Sequence, residues 1–237
     1  MKNYLTFKRG FKDGIPIALG YFSVSFAFGM LLISKGFPIW APISISLSNF
    51  TGTGQFVGAE LIYVGAGLGE IACTLLIINL RYVLMSLSLS QKLSPEINVL
   101  QRCVIAFGNT DEIYGVSMQQ RGLLTYKYMC GIILCSFMGW VGGTVVGAIA
   151  SDFLPNSILS ALGISLYAMF LAIIIPPSRK SKPILAIILI AGIISCLFRY
   201  IPFLSNFSSG WVIIIAGVFA SGLMAIISPS KEELEDE

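Results

Sequence analysis

A series of apolar stretches, each about 20 residues long and separated by short polar gaps, most constrains how this chain can fold. Of its 237 residues, 56% are hydrophobic and 11% are charged, against roughly a quarter charged in an average soluble domain. Only helices or a closed barrel satisfy the backbone inside a bilayer. Continuous apolar runs such as ILAIILIAGIISCLF favour helices, because barrel strands alternate polar and apolar residues. The sequence therefore predicts an all-α polytopic membrane protein that is embedded in the lipid bilayer.

Eight membrane segments are predicted, at residues 13–34, 39–64, 68–90, 100–118, 126–149, 157–177, 183–203 and 208–228. Basic residues precede the first, fifth and seventh segments, which places these gaps and both termini in the cytoplasm. These residues are Lys2, Lys8, Arg9, Lys12, Arg121, Lys127, Arg179, Lys180 and Lys182. Lys35, Lys92 and Arg102 do not fit this scheme, so a seven-span version with a re-entrant fourth segment stays open.

The chain is expected to form one membrane domain over residues 1–237, with a basic N-terminal segment (1–12) and an acidic tail (229–237). An offset of 118 residues aligns LRYV with FRYI and Gly29 with Gly147, without a gap. This offset predicts a parallel internal repeat of residues 1–118 and 119–237, in which Arg199 corresponds to Arg81.

Composition also excludes several functional classes. The chain has no histidine, which excludes a His-ligated metal, a His general base and a Ser-His-Asp triad. Its five cysteines show no metal-ligand spacing, and its membrane serines lack an obvious paired lysine. We therefore expect neither an enzyme nor a cofactor or metal site, and no nucleic-acid partner.

Arg81 is the clearest ionisable residue at membrane depth, within EIACTLLIINLRYVLMSLSLS. Such a charge costs roughly 3 kcal/mol or more unless it has a partner or a water-filled cavity. It either bonds helix-end carbonyls or binds a solute. In an intact helix Asn79 would face the opposite way, so either the helix unwinds there or Asn79 joins neighbouring helices.

The segment FGNTDEIYGVS (residues 107–117) predicts a helix that begins inside a membrane segment. Asn109 and Glu112 have capping-box spacing, and Asp111 and Glu112 fall in the first turn, where the helix dipole favours carboxylates. Non-helical backbone at Asn109 and Thr110 is tolerated at that depth only inside protein or beside a water-filled cavity.

A second break is predicted in NFTGTGQFVGAE (residues 49–60). Its glycines permit unwinding, and its polar side chains can bond freed backbone groups or a solute. The residues concerned are Thr51, Gly52, Thr53, Gly54 and Gln55. The alternative is close helix packing by small residues. If both breaks serve one cavity, residues 49–55 and 107–112 approach each other, with Gln55 or Thr53 and Asp111 or Glu112 facing a common space.

The order of DGIPIALGYFSVSFAFG, NFTGTGQF, INLRYVLMSLSLS and GNTDEIYG resembles the AzlC family of branched-chain amino acid permeases and exporters. The match covers most of residues 10–120, while the later half matches mainly in hydropathy. Many relatives have His at the position of Tyr82 and FAGASQF in place of FTGTGQF. The resemblance implies a multi-span carrier in the cytoplasmic membrane that moves leucine, isoleucine and valine, often outward, with a small membrane partner, AzlD.

The predicted site combines these motifs. The substrate-binding candidates are Thr51, Gly52, Thr53, Gly54, Gln55, Asn79, Arg81, Asn109 and Thr110, and the proton-coupling candidates are Asp111 and Glu112. A substrate carboxylate can bind Arg81 or exposed helix N-termini, and an ammonium can bind a carboxylate or free carbonyls. A channel or facilitator lined by the same polar breaks is the alternative to a carrier.

Overall fold

A computed structural model describes residues 5–151, 181–204 and 209–227, with single positions 171, 175, 178, 179 and 207 between them. Ten helices have described bounds, and no strand occurs within these residues apart from one isolated bridge between Leu93 and Leu124. The helices are α1 (Phe7–Ser34), α2 (Trp40–Ser48), α3 (Gly52–Tyr63), α4 (Leu68–Ile78), α5 (Leu80–Lys92), α6 (Val99–Phe107), α7 (Asp111–Gln119), α8 (Tyr126–Ala150), α9 (Lys182–Tyr200) and α10 (Ser209–Ile227). The predicted all-helical class is confirmed.

Four helices among the described residues are long and apolar enough to cross a membrane. They are Phe7–Ser34, Tyr126–Ala150, Lys182–Tyr200 and Gly210–Ile227, and they coincide with the first, fifth, seventh and eighth predicted segments. A fifth span results if α4 and α5, bent at the single residue between them, count together. The number of crossings within residues 39–118 stays a prediction. Most of the predicted segment 157–177 and the acidic tail 229–237 lie outside the described residues.

Helix α1 has a defined start and stop. Thr6 accepts a hydrogen bond from the backbone N–H of Arg9 (3.3 Å), which is an N-cap contact. At the other end Gly36 adopts a positive φ of 86°, its N–H bonds Ile33 O and the Phe37 N–H bonds Leu32 O. This is a Schellman ending, and only glycine takes that conformation without steric cost.

Helices α1 and α8 pack side by side and run in the same direction. A Cβ atom added to Gly10 would lie 3.0 Å from the carbonyl carbon of Tyr128, and one added to Gly29 would lie 3.2 Å from that of Gly147. These approaches are too close for any larger side chain, so small residues set the distance between the two backbones.

The packing register of this pair equals the offset of the predicted repeat. Gly10 meets Tyr128, Gly14 meets Ile132 and Gly29 meets Gly147, each separated by 118 residues in sequence. A two-fold axis between parallel helices requires equivalent residues to meet in this way. The pair therefore agrees with a parallel repeat, which stays a prediction for the rest of the chain.

The chain divides into two compact units. The first contains Met1–Ala59 and Ile78–Leu166, and includes every predicted site residue; the second contains Glu60–Ile77 and Tyr167–Glu237. Within the second unit α9 packs against α10, and Glu70 accepts a hydrogen bond from the Gly210 N–H (3.1 Å), near the start of α10. A carboxylate near a helix N-terminus is electrostatically favourable. The single domain over residues 1–237 stays a prediction.

Candidate functional site: three helix breaks in the first unit

The first break separates α2 from α3. It is three residues long, because the side chain of Asn49 accepts hydrogen bonds from the Thr51 N–H (3.1 Å) and hydroxyl (2.7 Å), and the helix resumes at once. The predicted unwound stretch, residues 49–55, was too long. Gly52, Thr53, Gly54 and Gln55 instead form the first turn of α3.

The second break lies between α6 and α7. Phe107 ends α6, Thr110 is the extended N-cap of α7, and Asp111 and Glu112 occupy its first turn, so the predicted internal helix start is confirmed. The predicted capping box of Asn109 and Glu112 is wrong. The Asn109 amide donates to the Ser86 hydroxyl (3.1 Å) and Glu112 accepts from the Tyr21 hydroxyl, so both side chains bond other helices.

The third break is Asn79, between α4 and α5. Its backbone is not helical (φ −92°, ψ 2°), which decides between the two alternatives that the sequence left open. Its side chain lies against the first turn of α3, since a Cβ on Gly54 would be 3.1 Å from Asn79 Nδ2 and 2.5 Å from the Thr51 hydroxyl. Gly54 is therefore required by close approach, and Asn79 joins the first break to the start of α5.

Arg81 and Asp111 form an ion pair that joins two helix starts. Arg81 Nη1 lies 2.6 Å from Asp111 Oδ2, and the side chains are 42% and 43% exposed. Arg81 also donates to the Tyr82 hydroxyl (3.2 Å), and its guanidinium carbon lies 4.9 Å from the Tyr82 ring centre. A cation in the first turn of α5 opposes the helix dipole, whereas a carboxylate in the first turn of α7 is favoured by it. Asp111 thus compensates the positive charge of Arg81, which the dipole of α5 disfavours.

Tyr21 on α1 contributes to this cluster and was missed by sequence reasoning. Its hydroxyl contacts Thr110 Oγ1 (2.6 Å) and Glu112. Its ring packs edge-on against Phe50 (5.6 Å) and Trp140 (5.4 Å). The available signal was a tyrosine inside a predicted span, because a buried phenol usually finds a polar partner.

The two predicted breaks meet through aromatic rings. Phe50, in the first break, stacks on Phe107, at the end of α6, with ring centres 6.4 Å apart. Phe137 packs edge-on against Phe50 (5.3 Å) and Phe107 (5.9 Å). The approach that the sequence predicted is present, but apolar groups make the direct contact.

Gln55 has different partners from those expected. Its Oε1 accepts a hydrogen bond from Ser46 on α2 (3.2 Å), whose hydroxyl also bonds Thr144 on α8 (2.7 Å). Its contacts therefore point to α2 and α8, and not to Asp111 or Glu112. Within the described part of the chain no three Cys, Asp or Glu side chains are grouped so as to hold a metal ion.

These features define an all-helical membrane protein whose helix breaks gather charged, amide and aromatic side chains. The chain belongs to the AzlC family, because the family described as "AzlC protein" matches residues 16–154, a range that contains all the predicted site residues.

Relatives span most of the chain. It is 27% identical to the inner membrane protein YgaZ of Escherichia coli, over 98% of this chain and 94% of that protein. A membrane protein of Archaeoglobus fulgidus is 33% identical over 72% of this chain and 75% of its own length. The branched-chain amino acid transport protein AzlC of Bacillus subtilis is 23% identical, over 76% of this chain and 70% of its own. No solved structure matches the chain significantly.

Proposed function

We propose that this protein is a secondary transporter in the cytoplasmic membrane that exports leucine, isoleucine and valine. It works with a small AzlD-like membrane protein as its partner. The substrate class follows from the family and from the name of the Bacillus subtilis relative. The structural observation that supports transport is the Arg81–Asp111 pair, partly exposed between two helix starts. Discontinuous helices with charged groups at their ends are the usual substrate sites of secondary transporters.

A branched-chain amino acid fits the chemistry of the breaks. Asp111 and Glu112 offer negative charge for an ammonium group, while Arg81 and the free N–H groups at the start of α3 offer donors for a carboxylate. Thr51, Asn79, Asn109 and Thr110 supply further polar contacts beside them. The aliphatic side chain would lie against the aromatic residues, namely Phe50, Phe107, Phe137 and Trp140.

The proposal includes coupling of transport to protons, for which the carboxylates of Asp111 and Glu112 are the candidates. Asp111 is paired with Arg81, whereas Glu112 accepts from the neutral hydroxyl of Tyr21. Both carboxylates stay candidates for coupling to protons.

Topology supports a cytoplasmic position for the N-terminus. Since α1 and α8 are parallel, their N-terminal ends lie on one side of the membrane, and both carry basic residues: Lys8, Arg9 and Lys12 on α1, and Arg121 and Lys127 beside α8. Cytoplasmic segments carry an excess of Lys and Arg.

The central test is labelled-leucine efflux from cells or proteoliposomes, with and without the small partner. Arg81→Gln should lower the rate roughly 10- to 100-fold at matched protein level, the worth of a hydrogen bond to a charged group. Arg81→Lys should rescue poorly because it loses the planar fork. Arg102→Gln is the matched control, since Arg102 bonds only a backbone carbonyl, that of Ile97 (3.2 Å), among its described contacts.

Two outcomes would contradict the proposal. Wild-type rates in Arg81→Gln would give Arg81 a structural role. If unlabelled leucine on the opposite side did not stimulate labelled-leucine efflux, a channel would be indicated. The reason is that a carrier reorients its binding site faster with substrate bound, whereas a channel has no such step.

A further inference from the structure

Two buried N–H donors in the first unit have no acceptor among the described residues. Gln55 is 1% exposed; its Oε1 is bonded by Ser46, but its Nε2 has no partner. Trp140 is 2% exposed, and its Nε1 has no partner either. Leaving a buried donor unpaired is costly, so two such donors indicate an acceptor that binds there.

Both donors lie along one contact between α3 and α8. The Trp140 ring reaches the first residue of α3, since a Cβ on Gly52 would be 3.6 Å from Trp140 Cη2. Gln55 follows Gly52 by three residues and so lies on the same face of α3. One turn beyond Trp140 on α8, Thr144 is linked to Gln55 through the Ser46 hydroxyl. The Trp140 ring edge and the Gln55 side chain thus both lie at the first turn of α3.

The start of α3 adds further donors. The first N–H groups of a helix have no partner inside that helix, and the side chain of Asn49 takes only the Thr51 N–H and hydroxyl. Thr51, Gly52 and Thr53 are partly exposed, so a solute can reach this turn. A site composed of N–H donors at the positive end of a helix dipole suits an anion with two acceptor oxygens.

We propose that the first turn of α3, with Trp140 and Gln55, binds the carboxylate of the transported amino acid. The inference rests on the proposed function and deepens it. Arg81 then stays with Asp111 as a charge pair. The donors at the start of α3 and on Trp140, which lack an acceptor among the described residues, take the substrate's anionic end. The ammonium group is left for the carboxylates at the start of α7.

Binding measurements on the purified full-length protein test this subsite with three ligands. These are L-leucine, L-leucinol, which lacks the carboxylate, and 4-methylpentanoate, which lacks the ammonium. Trp140→Phe removes one donor but keeps an aromatic ring, and Gln55→Met removes the other at similar length. Ser46→Ala is the matched control, because it removes the bond to Gln55 Oε1 and leaves the Nε2 donor in place.

Trp140→Phe and Gln55→Met should each weaken leucine and 4-methylpentanoate binding about tenfold, and leave leucinol binding unchanged. Ser46→Ala should change leucine binding less than threefold. Equal losses for leucine and leucinol, or no loss for either, would overturn the subsite; in the second case the donors are satisfied by buried water. If the wild-type protein binds 4-methylpentanoate through these residues but not leucine, the subsite stands and the amino-acid proposal falls.

Discussion

The α1–α8 pair and the three helix breaks satisfy polar groups in different ways. In the pair, two buried serine hydroxyls bond the backbone of their own helix: Ser25 bonds Tyr21 O (2.8 Å) and Ser136 bonds Ile132 O (2.9 Å). Near the breaks, polar side chains bond other helices, as Asn109 does with Ser86. The unpaired buried atoms of Gln55, Asn79, Asn109 and Trp140 also occur there.

Glycine shows the same contrast. In α1 and α8 it lets two uninterrupted helices touch, whereas Gly54 admits a polar side chain, that of Asn79, against a helix start. Close backbone contact and hydrogen bonds within each helix hold α1 (Phe7–Ser34) and α8 (Tyr126–Ala150) together, and this pair is called the frame below. Bonds between helices and unpaired donors make the breaks the part of the first unit that is suited to bind a solute.

The largest effect is expected from overfilling the frame. Gly29→Leu places a side chain whose Cβ would lie 2.7 Å from the Ala148 backbone nitrogen, and that backbone has no room to move. Overpacking of this kind costs about 1–3 kcal/mol, so the melting temperature should fall by roughly 2–12 °C. Thermal melting and size-exclusion chromatography in detergent measure it.

Gly20→Leu is the matched control for this change. Gly20 is on the same helix and has nothing within 4 Å of its Cβ position. It should melt like the wild type, and equal melting of both variants would mean that α1 and α8 are not in close contact.

A smaller effect is expected from removing one hydroxyl at the second break. Tyr21→Phe keeps the ring contacts with Phe50 and Trp140 but loses the bonds to Thr110 and Glu112, so leucine transport should fall about tenfold with little change in stability. Tyr114→Phe loses a hydroxyl contact with Ser88 (2.9 Å) and is the control. If both variants lost leucine transport equally, the hydroxyl at the second break would have no special role in transport.

Chemical labelling sharpens the description of the breaks. In a cysteine-free background, Thr53→Cys should react with a small water-soluble thiol reagent and be protected by leucine, because Thr53 is partly exposed. Thr110 is 5% exposed, so Thr110→Cys should react at least about tenfold more slowly. A Thr53→Cys protein that stays unlabelled while a helix-end cysteine reacts would make the first break a packing feature.

The smallest functional effect is expected at the ends of the frame. Lys12→Cys and Lys127→Cys alter exposed residues beside the N-terminal ends of α1 and α8, so transport should stay near the wild-type level. An impermeant reagent should label both from the same side of the membrane. Labelling from opposite sides would contradict the parallel pair.

Much of the frame was predictable because apolar length and helix ends are local properties. The predicted segments 13–34 and 126–149 correspond to Phe7–Ser34 and Tyr126–Ala150. The helix start at Asp111 was also predictable, since carboxylates in a first turn follow from the helix dipole.

The contacts of the site depend on residues far apart in sequence. Tyr21 and Thr110 are separated by 89 positions, and Ser46 and Thr144 by 98. LLIINLRYV carries no local stop signal, so the sequence left open whether the helix unwinds at Asn79; the observed break places the Asn79 side chain against Gly54, far away in sequence. The short first break depends likewise on the side chain of Asn49.

The parallel direction of α1 and α8 also limits the path of the chain between them. If both helices cross the membrane in the same sense, the chain that leaves α1 on one side must return to the other side before α8 begins. Under that condition the number of crossings within residues 39–118 is odd, so either all three predicted segments cross or only one does. A version in which the fourth segment alone re-enters has even parity and does not meet the condition. If any of these three segments enters and leaves the membrane by the same face, a second one must do so too.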